Sequence, residues 1–266
     1  MSASNSHHAS SAGLEDQKQG KRHDLEARRG SLLPDLPPEI LAAIFLLIPR
    51  DVGDTSWIRV THVCRLWREV ALNYPRFWSV LNSVPPCFME FALARSGCAP
   101  ISVHTSEDTP DDILFKVLSL DQLQEVSLNL TAGGRTVLSH FTKSFPILET
   151  VEIFGDVSES WFMPKNFLSE SRHLKHLLLD NWRSFTWGRL PQAAQCGTLL
   201  TLSLNVHVDA EDVLSPETFL QCMGRMPLLQ ILELEYALPS TQADFATSSS
   251  PFQPVVLQHL RELSLK

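Results

Sequence analysis

The side chains able to do chemistry are scattered along this chain, and none completes a reacting set. His173 and His176 stand three apart and come nearest to a metal pair. No cysteine or carboxylate lies beside them at ligand spacing, so they read as ordinary histidines flanking and facing outward from a strand. Asp111-Asp112 is a paired carboxylate, but it follows Thr109-Pro110 and reads as a helix N-terminus, where negative charge meets free amide protons. Gly133-Gly134 lacks the Lys-Ser or Lys-Thr of a phosphate loop. There is no G-x-S-x-G elbow and no H-E-x-x-H helix. Cys64 falls on the apolar side of a periodic segment, which predicts a packed thiol and not a nucleophile. The reading is of a non-enzyme without catalytic residue, metal or cofactor.

Composition narrows the class further. At 266 residues and 44% hydrophobic, the chain can build one or two domains with a sizeable core. A net charge of −8 and a pI near 5.7 argue against nucleic acid or an anionic membrane as the main partner. No apolar run approaches the ~20 residues of a membrane span. The first residues, MSASNSHHASSAG, lack the apolar core of a secretory signal. Five cysteines, widely spaced and without a CxxC pair, fit reduced thiols in the cytoplasm or nucleus.

The strongest local pattern runs from Leu33 to Trp78. Pro37-Pro38 suits a first helical turn, and Asp35 can accept a free amide proton there. Ile40, Leu41, Ile44, Phe45 and Ile48 then predict one apolar helix face ending at Pro49. After a break at Gly53-Asp54, Val60, Val63, Cys64, Trp67, Val70 and Ala71 predict a second amphipathic helix of about four turns. Arg59, Arg65, Arg68 and Glu69 take its other side, Pro75 ends it, and Phe77-Trp78 follow as large anchors.

The ordered run LPPEIL (36–41), IF (44–45), VCRLWRE (63–69) and PRFW (75–78) resembles an F-box, and more narrowly the F-box-like domain of mushroom-forming fungi. The linker PRDVGDTSW is longer and more polar than the usual connection, which leaves the start of the second helix open. The resemblance implies a three-helix F-box docking on a Skp-family adaptor, and through it on a cullin. By motif position the adaptor contacts would fall among Leu36, Pro37, Ile40, Leu41, Ile44, Val63, Cys64, Trp67 and Trp78. Some of these must hold the domain together instead, and sequence does not divide them.

Farther along, L-x-x-(V/L)-x-(L/I) recurs in every segment of a series but the first, Ala99-PISVHT. The middle apolar positions are Ile101, Val126, Val151, Leu177, Leu202, Leu232 and Leu263, at intervals of 25, 25, 26, 25, 30 and 31. A period in the twenties resembles degenerate leucine-rich repeats, in which short parallel strands stack into a solenoid. Asp111–Leu120 and Arg135–Phe145 read as return helices. The turn position usually held by Asn or Cys carries Thr131, Asp156, Trp182, His207 and Ala237, so the solenoid should be irregular. Asp209–Pro216 and Leu238–Pro254 read as insertions, the second a surface loop. The last strand motif reaches Lys266, so its apolar layer would be covered by another segment, or the chain is a shortened copy of a longer solenoid.

The expected fold is α+β overall. A disordered tail (1–30) precedes an F-box-like helical domain (31–81), a linker helix (82–99, capped at Gly97) and an irregular α/β solenoid with a parallel sheet (100–266). Trp161, Trp182 and Trp187 cluster after two strands, either as core filling or as anchors for a target protein. The expected function is a substrate-recruiting subunit in the ubiquitin conjugation pathway, with the target unidentified. The alternative is a repeat scaffold outside ubiquitin ligases whose helical head is only a cap.

Overall fold

Pro37 sets the first boundary of the chain. Its carbonyl accepts from the amides of Ile40 and Leu41 at 3.0 and 3.1 Å, and helix α1 runs Pro38–Leu46. The computed structural model describes residues 36–130, 135–155, 164, 166–182, 196–206, 216–237 and 254–266. Asp35, the tail at 1–30 and nearly all of both insertions lie outside the described residues. The chain forms two compact units, Met1–Ile44 and Phe45–Lys266, each described by itself.

The apolar face predicted for α1 is divided. Leu41, Ala42 and Phe45 are buried, whereas Ile40 and Ile44 are exposed. Residues 40 and 44 sit about 100° around the helix from 41 and 45, so a stripe this wide has two sides. Only one of them is used within the chain.

The second predicted helix is a correction. It is two pieces: a 3₁₀ helix at Ser56–His62 and helix α2 at Arg65–Leu72, with Cys64 extended between them (φ −155, ψ 175). Val60, Thr61 and Val63 are β-branched and lose rotamer freedom in a helix. Thr61 Oγ1 donates to the Ile58 carbonyl and Arg68 Nε to the Thr61 carbonyl, both at 2.8 Å, which satisfies the carbonyls at the break. Gly53 does break the chain (φ +72). The Asp54 carboxylate then accepts the Ser56 hydroxyl and amide at 2.5 and 2.6 Å, and these bonds hold its carboxyl below the usual range.

A second 3₁₀ turn, Pro75–Trp78, leads into β1, Val80–Asn82. Helix α3, Pro86–Ser96, ends as expected at Gly97, whose φ of +55 is the conformation glycine accepts without steric cost. Seven further strands follow: β2 Ile101–His104, β3 Leu123–Asn129, β4 Thr150–Phe154, β5 His176–Trp182, β6 Thr201–Val206, β7 Ile231–Glu235 and β8 Glu262–Leu265. All pair in parallel, in sequence order, making one eight-stranded sheet. The fold is therefore mixed α/β with a parallel sheet.

The register tests the repeat reading residue by residue. Val126, Val151, Leu177, Leu202, Leu232 and Leu263 stand opposite one another, as the spacing predicted. Ile101 does not; Val103 is the partner of Val126, and the register shifts between Ile101 and Ser102. Both side chains are fully buried, so alternation alone could not choose between them. Strand β1 carries no sequence signal of its own. Three residues are too few for a period, and Ser83 turns the chain away at φ +50.

Along β4, β6 and β7 every second residue is buried, the pattern of a sheet with one closed face. Helix α4, Asp111–Leu118, starts on the carboxylate pair and buries Ile113, Leu114, Val117 and Leu118. Helix α5, Arg135–Ser139, continues into a 3₁₀ turn, with Val137, Leu138 and Phe141 buried. Helix α6, Pro216–Gly224, begins at the end of the first expected insertion and carries the buried Cys222 and Met223.

The described thiols divide by exposure. Cys64, Cys87 and Cys98 are exposed, which corrects the packed thiol expected at Cys64. Cys64 sits at the helix break and not within a helix face. Cys222 is buried, and burial pushes its thiol pKa up. Brief alkylation of the native protein should therefore label the first three and spare Cys222 until denaturation, as peptide mass spectrometry would show.

Candidate docking surfaces

The interior of the second unit's helical part is a run of aromatic rings. Trp67 meets Phe45 at 5.2 Å between centroids, and Phe45 meets Phe77 at 5.8 Å. Phe77 packs edge-on against Trp57 at 4.9 Å and Trp78 at 5.2 Å. Trp78 continues to Phe91 of α3 at 5.4 Å. Its indole N–H donates to the Ala71 carbonyl at 2.8 Å, which gives the one polar atom of the side chain a partner in the core.

Arg50 ties this cluster to the sheet. Its guanidinium lies over Trp57 at 3.6 Å and donates to the Phe77 carbonyl at 2.7 Å, with a longer contact to the Val80 carbonyl at 3.5 Å. Asn82 Nδ2 donates to the Arg50 carbonyl, and Gly53 N to the Asn82 carbonyl, both at 2.9 Å. The outer edge of β1 is thereby occupied. Burial pulls the Arg50 pKa down to about 10, so it remains charged at neutral pH. Lysine cannot both stack flat on indole and reach two carbonyls. Arg50→Lys should cost about 1–3 kcal/mol, measurable by urea titration, through the carbonyl bond and the stacking lost together.

The structure sorts the sequence-read positions. Leu41 and Trp78 are interior, at 1% exposure each, and are corrected from contact residues to core residues. Trp67 and Leu36 are half-buried, while Pro37 and Cys64 are exposed. Ile40 and Ile44 on α1 are 50% and 40% exposed. In the second unit Val63 is 58% exposed, and Leu66 and Leu72 join it as exposed apolar residues that sequence reading missed. The break at Cys64 separates Val63 from the helix that carries Leu66 and Leu72. Large apolar groups left in water on a short helical segment are what a protein partner covers.

The three tryptophans proposed as target anchors fare differently. Trp161 and Trp187 lie outside the described residues. Trp182 is fully buried and packs against Phe167 at 6.2 Å, so it is a core residue. The turn at Asp180-Asn181, with Asn181 at φ +60 and a register shift before Trp182, carries it inward. His176 on β5 bonds Thr201 Oγ1 through Nδ1 at 3.1 Å. No group of three or more potential metal ligands occurs among the described residues.

The half-buried face of the sheet carries polar side chains that bridge strands. Asn129 Nδ2 donates to the Thr105 carbonyl at 2.8 Å, Asn205 Nδ2 to Asp180 at 2.7 Å, and Ser102 Oγ to Glu125 at 2.6 Å. Asn129 and Asn205 thus join neighbouring strand segments, although the turn positions read from sequence carry no asparagine. Strand-end asparagines were visible in the sequence; their pairing was not.

A helical segment with exposed apolar side chains is thus followed by an all-parallel strand series. Residues 33–82 match the F-box-like family model, so the chain carries an F-box-like domain that extends to the end of β1. No curated protein matches the chain. Among the described residues no helix is long and apolar enough to cross a membrane.

Proposed function

We propose that this chain is a non-catalytic, substrate-recruiting subunit of an SCF-type cullin-RING ubiquitin ligase, working in the cytoplasm or nucleus. The F-box-like domain binds a Skp-family adaptor, and through it the cullin. The strand series is a degenerate leucine-rich-repeat solenoid that holds the target, and the whole resembles the mushroom-type F-box proteins. The observation that carries the reading is the family match over 33–82 together with exposed Ile40 and Ile44 on its first helix. Val63, Leu66 and Leu72 in the second unit support it as a further uncovered apolar group. The chain contributes no bond-making step. It raises the effective concentration of the target near ubiquitin activated elsewhere.

One observation favours a second reading, a repeat scaffold whose head is a cap. The matched domain supplies β1, and Arg50 and Gly53 occupy that strand's edge, as a capping unit would. Co-expression with a Skp-family adaptor separates the two. A one-to-one complex surviving gel filtration supports the ligase subunit, and a folded protein that binds no adaptor leaves the cap.

A further inference from the structure

Acidic side chains dominate the half-buried sheet face, with Lys266, just past β8, continuing the same alternation at its last edge. Glu125 (β3), Glu152 (β4), Asp180 (β5) and Glu233 and Glu235 (β7) stand on this face, on the side away from the buried residues of their strands, and the register sets the exposed Glu262 (β8) on the same side opposite Ile231. No Lys or Arg occurs in any of the eight strands. Among the described residues none of the six carboxylates forms an ion pair; the ion pairs there are Lys116–Glu90 and Lys175–Glu149. Phe154 and Leu178 interrupt the acids as half-buried apolar side chains on the same face.

From this we infer that the target enters as an extended polypeptide segment bearing several Lys or Arg residues, laid across β3 to β8. The inference rests on the proposed role of the sheet as the target-holding surface and names the chemistry of that target. Like charges gathered on one partly desolvated face raise the local concentration of an oppositely charged partner and penalise a like-charged one. Nucleic acids and anionic lipid surfaces are repelled for the same reason. Strands lie about 4.8 Å apart, so β3 to β8 spans about 24 Å, the length of roughly seven extended residues. A segment crossing them meets a carboxylate on every strand but β6. The aliphatic stems of its lysines or arginines can lie on Phe154 and Leu178 while their heads reach the acids.

The test uses the full chain and two fluorescein-labelled peptides about twelve residues long, alternating Lys-Ala and Glu-Ala. Wild type should bind the Lys-Ala peptide, release it as salt rises, and ignore the Glu-Ala peptide. The triple variant Glu152→Gln/Glu233→Gln/Glu235→Gln should bind Lys-Ala at least about tenfold more weakly. The control Glu107→Gln/Asp108→Asn/Glu170→Gln makes the same change in net charge at exposed positions off the strands, and should bind as wild type does. Equal weakening in both triples would mean attraction to net charge alone and would overturn the inference, as would wild type showing no preference between peptides. Adaptor binding measured on the same wild-type protein reports separately on the recruiting role. An adaptor complex with no Lys-Ala preference sinks only the target chemistry, and no adaptor complex sinks the ligase reading.

Discussion

Trp78→Ala should lower the stability of the second unit by about 3–5 kcal/mol, the usual cost of emptying a large aromatic site in a core. Trp78 is 1% exposed and touches Trp57, Phe77, Phe88 and Phe91 within 6.3 Å between ring centroids. The substitution removes ring contacts from both sides of the cluster and leaves the Ala71 carbonyl without its indole donor. For a unit of this size each kcal/mol moves the melting midpoint by about 2–4 °C, so a fall of roughly 10–15 °C is expected. Trp78→Phe keeps most of the packing and loses the N–H, and should cost clearly less. The effect should reach the sheet, because Ser79 follows directly and its carbonyl accepts from Ser102 N at 2.8 Å. A thermal scan in which Trp78→Ala melts within a degree or two of wild type would refute the core assignment.

Ile40→Asp should have the opposite profile: an intact fold and a lost partner. Ile40 is half exposed, so its removal opens no cavity. It lies in the first turn of α1, where a carboxylate favours the positive helix end and offsets the poorer propensity of Asp. At a covered interface the same change removes about 1.5–3 kcal/mol of apolar burial and forces a charge into an apolar contact. Adaptor affinity should fall at least about 100-fold, read by gel filtration and titration calorimetry. Circular dichroism and melting should stay as in wild type. Retained binding in a folded Ile40→Asp variant would remove α1 from the docking surface. Trp67 makes a poorer probe, since its ring packs on Phe45 and its loss would confuse folding with binding.

The pattern readable from sequence alone was the one that physics writes locally. Pro37-Pro38 before an apolar stripe gave the start of α1, Gly97 the end of α3, and Asp111-Asp112 the start of α4. The recurring leucines gave six strands in their observed register, because each strand must bury one face and the period fixes which residues do so.

Tertiary structure decided the rest, because those outcomes depend on what each residue meets. Ile40 and Leu41 are equally apolar neighbours, yet only Leu41 found an interior place. Val63 and Cys64 looked buried under an unbroken helical period; side-chain bonds from Thr61 and Arg68 ended that period and left both in water. Trp182 had the composition of an anchor, and a turn at Asn181 placed it in the core. The six carboxylates lie on five strands spread over more than a hundred residues of sequence, so only parallel stacking in order brings them onto one face.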